Sequence, residues 1–252
     1  MEIPAKPEAI NKPHTLEEFQ NLWVCQKIIR DWTDNPQWDS YDVLPVLYQA
    51  LHTGDKNLPG TDSGPKLAQT VRNSTSFLPG SPANLLAPSE NVYILASRYS
   101  SELDRILREK PKNLSKAIED AAFAYYVFDR IHPFPDGNGR IGRMIIKRVF
   151  KSAGVKDPVF HDPGWYGGGR SEHKLALERV DETNDLAHLE LFLAESLTGV
   201  YDPLRELFKH REISRFISSK QKLVNQQANS RLLSNIWEGF VGLPMYGNQF
   251  PI

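Results

Sequence analysis

From Ser115 to Arg130 the apolar residues Ile118, Ala121, Ala122, Tyr125 and Phe128 recur every three or four positions, the rhythm of a helix with one face on a core. A second run with the same rhythm, Ile141, Met144, Ile145 and Val149, spans Arg140 to Ala153 and closes at Gly154, a residue suited to a helix C-terminus. Upstream, Thr15 followed by Glu18 matches a capping box that opens a first helix, and residues 41–52 predict a second. A further helix is expected over 172–197, and one or two polar amphipathic helices over 203–240. Between them, residues 53–66 are rich in Gly, Pro, Asp and Asn and predict loop. The stretch 67–90 holds Thr, Val and Phe but stops at Pro79 and Gly80, leaving room for a small β-hairpin at most. The expectation is an all-α bundle with one hairpin. Residues 1–14 read as a flexible tail, 15–200 as the main domain and 201–252 as a C-terminal helical extension.

Composition narrows the function. A formal charge of −1 over 252 residues lacks the basic surplus typical of nucleic-acid binders, so no DNA partner is expected. No apolar run reaches membrane-spanning length and the N-terminus lacks an apolar signal core. A cytoplasmic protein without a membrane partner follows as the expectation. The single cysteine, Cys25, cannot form an intramolecular disulfide and sits in a helical stretch, where a buried structural thiol is expected.

The two rhythmic segments are joined by HPFPDGNGRIGR, His132 to Arg143. Gly137 to Gly142 fits G-x-G-x-x-G, and Asp162 stands where a ribose-binding acid would. A dinucleotide fold needs a strand before the first glycine, however, and this run-up contains Pro133 and Pro135 and leaves a helix. A Walker-type phosphate loop is absent from the sequence. The prolines and glycines instead predict a tight turn into a helix N-terminus, which gathers N–H groups and positive potential into an anion site. Arg140 and Arg143 supply donors for phosphoryl oxygens. Asp136 is placed to hold a Mg²⁺ that bridges phosphates, and His132 can take a proton near neutral pH. Together they point to phosphoryl or nucleotidyl transfer; Phe134 is expected to anchor the turn in the core.

The same twelve residues match the H-x-F-x-[DE]-G-N-G-R-x-x-R signature throughout, and over about 40–200 the chain resembles the Fic-domain proteins. That resemblance implies a helical bundle with a β-hairpin flap before the motif. It implies His132 as the base toward a target hydroxyl, Asp136 for Mg²⁺, Gly137, Asn138, Gly139 and Arg140 as the anion hole, and Arg143 on the γ-phosphate. The flap, Val71, Arg72, Asn73, Ser74, Thr75, Ser76, Phe77 and Leu78, would dock the target as an added strand. The implied reaction is AMP transfer from ATP to a Ser, Thr or Tyr hydroxyl of a partner protein. The kinase subgroup named Doc is similar but has lysine where this chain has Gly139. AMP removal and self-association also occur in the family, and a nucleotide-dependent binding module without turnover is the alternative from another class. Near the C-terminus, SNIWEG, Ser234 to Gly239, is similar to the family's inhibitory motif [ST]-x-x-x-E-[GN]. The resemblance implies that Glu238 pairs with Arg143 and Ser234 contacts the anion hole at Asn138, leaving the protein self-inhibited.

Overall fold

A computed structural model of the chain describes residues 15–55, 59, 64–74, 76, 86–155, 172–200 and 210–225. Within them lie helices α1 (Leu16–Asp34), α2 (Ser40–Thr53), α3 (Leu67–Thr70), α4 (Val92–Glu109), α5 (Leu114–Ile131), α6 (Asn138–Ser152), α7 (Glu172–Thr183), α8 (Ala187–Val200) and α9 (His210–Asn225). None of these helices is long and apolar enough to cross a membrane.

The expected capping box starts α1: Thr15 accepts from the Glu18 N–H, and the Glu18 carboxylate accepts from the Thr15 N–H. Helix α5 is the axle of the bundle. It packs on α4, α6, α8 and α9, and Ala117, Ala121, Ala122 and Ala124 are wholly buried along it; their small side chains let neighbours approach on several sides. Around it Trp32, Leu44, Leu47, Tyr99, Phe128 and Phe150 fill the interior, large apolar side chains worth about 1.5–3 kcal/mol each on full burial. At the α5–α6 contact Gly142 leaves no room for a side chain: a Cβ would stand 2.5 Å from the Tyr125 ring. The last glycine of the apparent dinucleotide pattern is therefore a packing glycine. Cys25 is fully buried, its thiol donating weakly to Leu47 O at 3.7 Å, and burial pushes its pKa up to about 12.

Several expectations need correction. The helix expected over 172–197 is two helices, α7 and α8. The chain turns between them at Asn184, which takes the left-handed conformation (φ 57°), and Asp185 Oδ1 accepts from the Ala187 N–H at 2.9 Å, an Asx turn that leads into a new helix. Helix α4 was not among the expected elements, though Val92, Leu95, Ala96, Tyr99, Leu103 and Ile106 are buried along it. The hairpin expected near 70–86 is not seen among the described residues, which contain no strand; residues 75 and 77–85 lie outside them. Of the expected C-terminal helices α9 is described, and it rests on α8 and α5. Lys220 pairs there with the buried Glu190 and lies 3.6 Å from Glu119.

Candidate active site

The site forms where α5 ends and α6 begins. Proline at 133 disfavours continued helix at the residue before it, and His132 turns into the left-handed region (φ 49°, ψ 59°) while its N–H still closes on Phe128 O at 2.9 Å. Such a conformation in a non-glycine residue costs about 1–3 kcal/mol and needs local support. Part of that support is the ring, whose Nδ1 lies 3.2 Å from Asp129 O. A carbonyl oxygen only accepts, so Nδ1 carries the proton and Nε2 keeps its lone pair. Burial lowers the pKa of His132 below its ordinary value. The Asp129 charge and hydrogen bond work against that shift, while Arg72 and Arg130 reinforce it. A neutral imidazole with Nε2 as acceptor is the form a general base requires.

The loop after His132 is held from inside. Phe134 is fully buried, stacked on Tyr48 at 4.7 Å between centroids with 11° between planes. The Phe134 N–H donates to Asn138 Oδ1 at 2.9 Å, and Asn138 Nδ2 donates to Phe134 O at 2.7 Å, so one amide side chain closes the turn with both of its groups. Asn138 was expected in the anion hole; its buried side chain is committed to the loop, and only its main-chain N–H can serve a ligand. Gly137 sits at φ 78°, and a Cβ on it would fall 2.6 Å from Leu51 Cδ2, so both conformation and space demand glycine. The same contact brings His52, exposed at the end of α2, to the rim of the site.

Facing outward, the first turn of α6 has no side-chain cap. Its leading N–H groups have no intrahelical partner and point with the helix dipole toward whatever anion arrives. Gly139 lies in this turn with a right-handed backbone, and a Cβ there would meet only Arg143 Nη1, at 3.5 Å. Glycine at 139 leaves the mouth open rather than answering a packing need. Arg140 reaches Asp136 at 3.1 Å, and the Asp136 side chain is 73% exposed. An exposed ion pair of that kind is worth about 1 kcal/mol or less, so the carboxylate can be taken by a cation at small cost. Among the described residues no cluster of three or more His, Cys, Asp or Glu could hold a metal alone. Asp136 would hold one jointly with ligand phosphates, the usual arrangement for Mg²⁺.

Behind His132 lies a buried charge network that the sequence did not announce. Arg130 donates to Asp181 Oδ2 on α7 at 2.9 Å, lies 3.3 Å from Asp129 Oδ2, and sits over the Tyr126 ring; Tyr126 donates to Asp181 Oδ1 at 2.9 Å. Burial raises Asp181 to about 6, with Arg130 and Tyr126 opposing. His173 on α7, within the field of the Arg143 charge, hydrogen-bonds Tyr125. Burial, and then the charges of Arg143, Lys174 and Arg130, hold His173 down at about 3 and therefore neutral.

The structure thus brings His132, Asp136, Gly137, Gly139, Arg140 and Arg143 into one loop and helix turn. It corrects one flap assignment. Arg72 was expected to face a target protein, yet the residue is 3% exposed and its guanidinium is turned inward onto Ser74 O, Ala87 O, Ile131 O and His132 O. Ser234 and Glu238, and the flap residues Thr75, Phe77 and Leu78, lie outside the described residues.

Residues 67–149, from α3 into α6, match the family model described as the Fic/DOC family. Over 96 residues the chain is 32% identical to a Fido domain-containing protein of Dictyostelium discoideum, a match covering 36% of this chain and 64% of that protein. Over 65 residues it is 29% identical to a protein of Aquifex aeolicus named "probable protein adenylyltransferase", covering 26% of this chain and 18% of that one. The chain therefore spans less than two thirds of the length of either relative.

Proposed function

We propose that the site transfers AMP from MgATP to a Ser, Thr or Tyr hydroxyl of a target protein, a reading supported by the match of residues 67–149 to the Fic/DOC family model, and that Glu238 restrains this activity. The observation that carries the reading is a neutral His132 with Nε2 free, next to an uncapped helix start that bears Arg140 and Arg143. Base, anion site and phosphate-gripping side chains together suit the attack of a hydroxyl on a polyphosphate.

In this mechanism Nε2 of His132 takes the proton of the target hydroxyl as its oxygen bonds to the α-phosphorus, and the bond from that phosphorus to pyrophosphate breaks. The imidazolium so formed later returns its proton to solvent. The first-turn N–H groups of α6 with Arg140 and Arg143 hold the phosphates in line and balance the charge that develops on leaving. Asp136 would hold Mg²⁺, which when bound would supply further neutralisation of the polyphosphate charge. Gly139, with no side chain in the mouth, supports AMP transfer over the Doc-like phosphorylation that lysine accompanies at this place. The Ser234 to Gly239 motif supports restraint through Glu238 on Arg143.

The test separates the donors. Full-length Glu238→Gly protein is incubated with Mg²⁺ and either α-labelled or γ-labelled ATP in the presence of a cell lysate. Label from the α position alone, on protein and lost in Glu238→Gly/His132→Ala, is the expected result. Label from the γ position alone would replace the reading with a kinase. Equal labelling by wild type and Glu238→Gly would remove the inhibitory role.

A further inference from the structure

Arg72 is a buried cation whose described partners are all main-chain oxygens. Nε donates to His132 O at 2.7 Å, Nη2 to Ala87 O at 2.5 Å and Ile131 O at 3.2 Å, and Nη1 to Ser74 O at 2.8 Å. The Arg72 N–H donates to Pro133 O at 2.7 Å. Burying a charge among neutral acceptors is costly, and desolvation lowers the pKa of this guanidinium. Its place in the fold offsets that cost: Ile131 and His132 carbonyls form the C-terminal, negative end of α5, whose last carbonyls have no helical partner.

The carbonyls it grips are also the ones that decide where the imidazole points. His132 is one of the few non-glycine residues at positive φ among those described, and a bound peptide on either side is what keeps it there. We infer that Arg72 is a positioning residue for His132: its guanidinium holds the Ile131 and His132 carbonyls and its main-chain N–H holds that of Pro133, fixing the left-handed turn that aims Nε2. Arg72 lies inside the family-matched span, but the resemblance placed it among target-docking residues, and the new role is a different one.

A second effect accompanies the first. The charged groups acting on the ring are Asp129 and Arg130 on α5 and Arg72 after α3, with Asp181 on α7 neutralising Arg130; Asp136 and Arg140 pair with each other farther along the loop. The positive charge of Arg72 therefore resists protonation of His132.

The inference rests on His132 being the base of the proposed transfer, and its test has an arm that does not. Full-length wild type, Arg72→Lys and Arg72→Gln are labelled with ¹⁵N-histidine, and the ring nitrogens of His132, assigned with His132→Ala, are followed through a pH titration. Wild type should show the Nδ1–H tautomer. Both variants should show mixed tautomers, and Arg72→Gln alone, having lost the charge, should titrate at higher pH. In the Glu238→Gly background, kcat should fall about 10²-fold in both, as for a base misplaced by an ångström, with KM for ATP held within about twofold. Unchanged tautomers in both variants, with activity falling only as folded protein falls, would overturn the inference. Absence of transfer in every sample would count against the proposed function while leaving the ring measurement to decide the role of Arg72.

Discussion

Arg130 and Arg72 are both almost wholly buried and both act on His132, yet their charges are answered differently. Arg130 has carboxylates on two helices, Asp129 on α5 and Asp181 on α7, with the Tyr126 hydroxyl completing the group. Arg72 has carbonyls, from residues 74, 87, 131 and 132. The first arrangement is a clasp between helices, holding elements together from far apart in sequence. The second is a mould, setting the backbone of the turn that carries the histidine. The lesson is that buried charge near a site can serve architecture or aim, and the identity of the acceptor, side chain or main chain, tells which.

Substitutions should separate the two roles, beginning with the largest effect. Arg130→Leu strips the partner from Asp129 and Asp181 and should cost about 3–5 kcal/mol of unfolding free energy, as for other broken buried pairs. Arg72→Lys, which keeps a charge and part of the hydrogen bonding, should cost only about 1–3 kcal/mol. Chemical denaturation of both variants checks the order, and equal losses would dissolve the distinction. The α5–α6 crossing can be strained directly: Gly142→Ala puts a Cβ against Tyr125 and should cost about 1–3 kcal/mol by overpacking, visible as a lowered melting temperature.

The clasp should also show in the pH dependence of stability. Asp181 is raised from 3.8 to about 6 in the fold, so between those values the folded state binds more protons than the unfolded one. Stability then falls as pH rises through that window, with a slope no steeper than about 1.4 kcal/mol per pH unit for one group. Asp181→Asn should remove that contribution. The mould has its own pH signature: with His132 below 6.5, the acid limb of the transfer rate should lie below pH 6.5. The smallest effect is expected at Gly139→Ala, where a Cβ finds only ordinary contact with Arg143; folding should change by less than about 0.5 kcal/mol.

How much of the molecule is legible in its sequence depends on whether a feature is local. The α1 cap is written in Thr15 and Glu18, within four adjacent positions, and α5 and α6 in their apolar rhythm. The loop that carries the candidate site is equally local, one stretch from His132 to Arg143, so the residue types and their spacing name its candidate groups directly. Helix α4 has the same rhythm and is readable; the break at Asn184 and Asp185 has its signal in two turn-forming residues inside an otherwise apolar-periodic run. Arg72 and the Arg130 clasp are not legible. Arg72 meets residues 59 and 60 positions away, and Arg130 meets Asp181 51 positions away. No local pattern distinguishes an arginine bound for solvent from one bound for the core. Asn138 carries the opposite difficulty: its place in the motif suggests a ligand contact, while its side chain spends both hydrogen-bonding groups on Phe134.

Whether His132 acts as the base of a nucleotidyl transfer can be read from intact masses. Full-length wild type, Glu238→Gly and Glu238→Gly/His132→Ala are each incubated with Mg²⁺ and ATP. An AMP-sized addition is expected in Glu238→Gly, little or none in wild type, and none once His132 is removed. An AMP-sized addition that persists in Glu238→Gly/His132→Ala would contradict that role for His132.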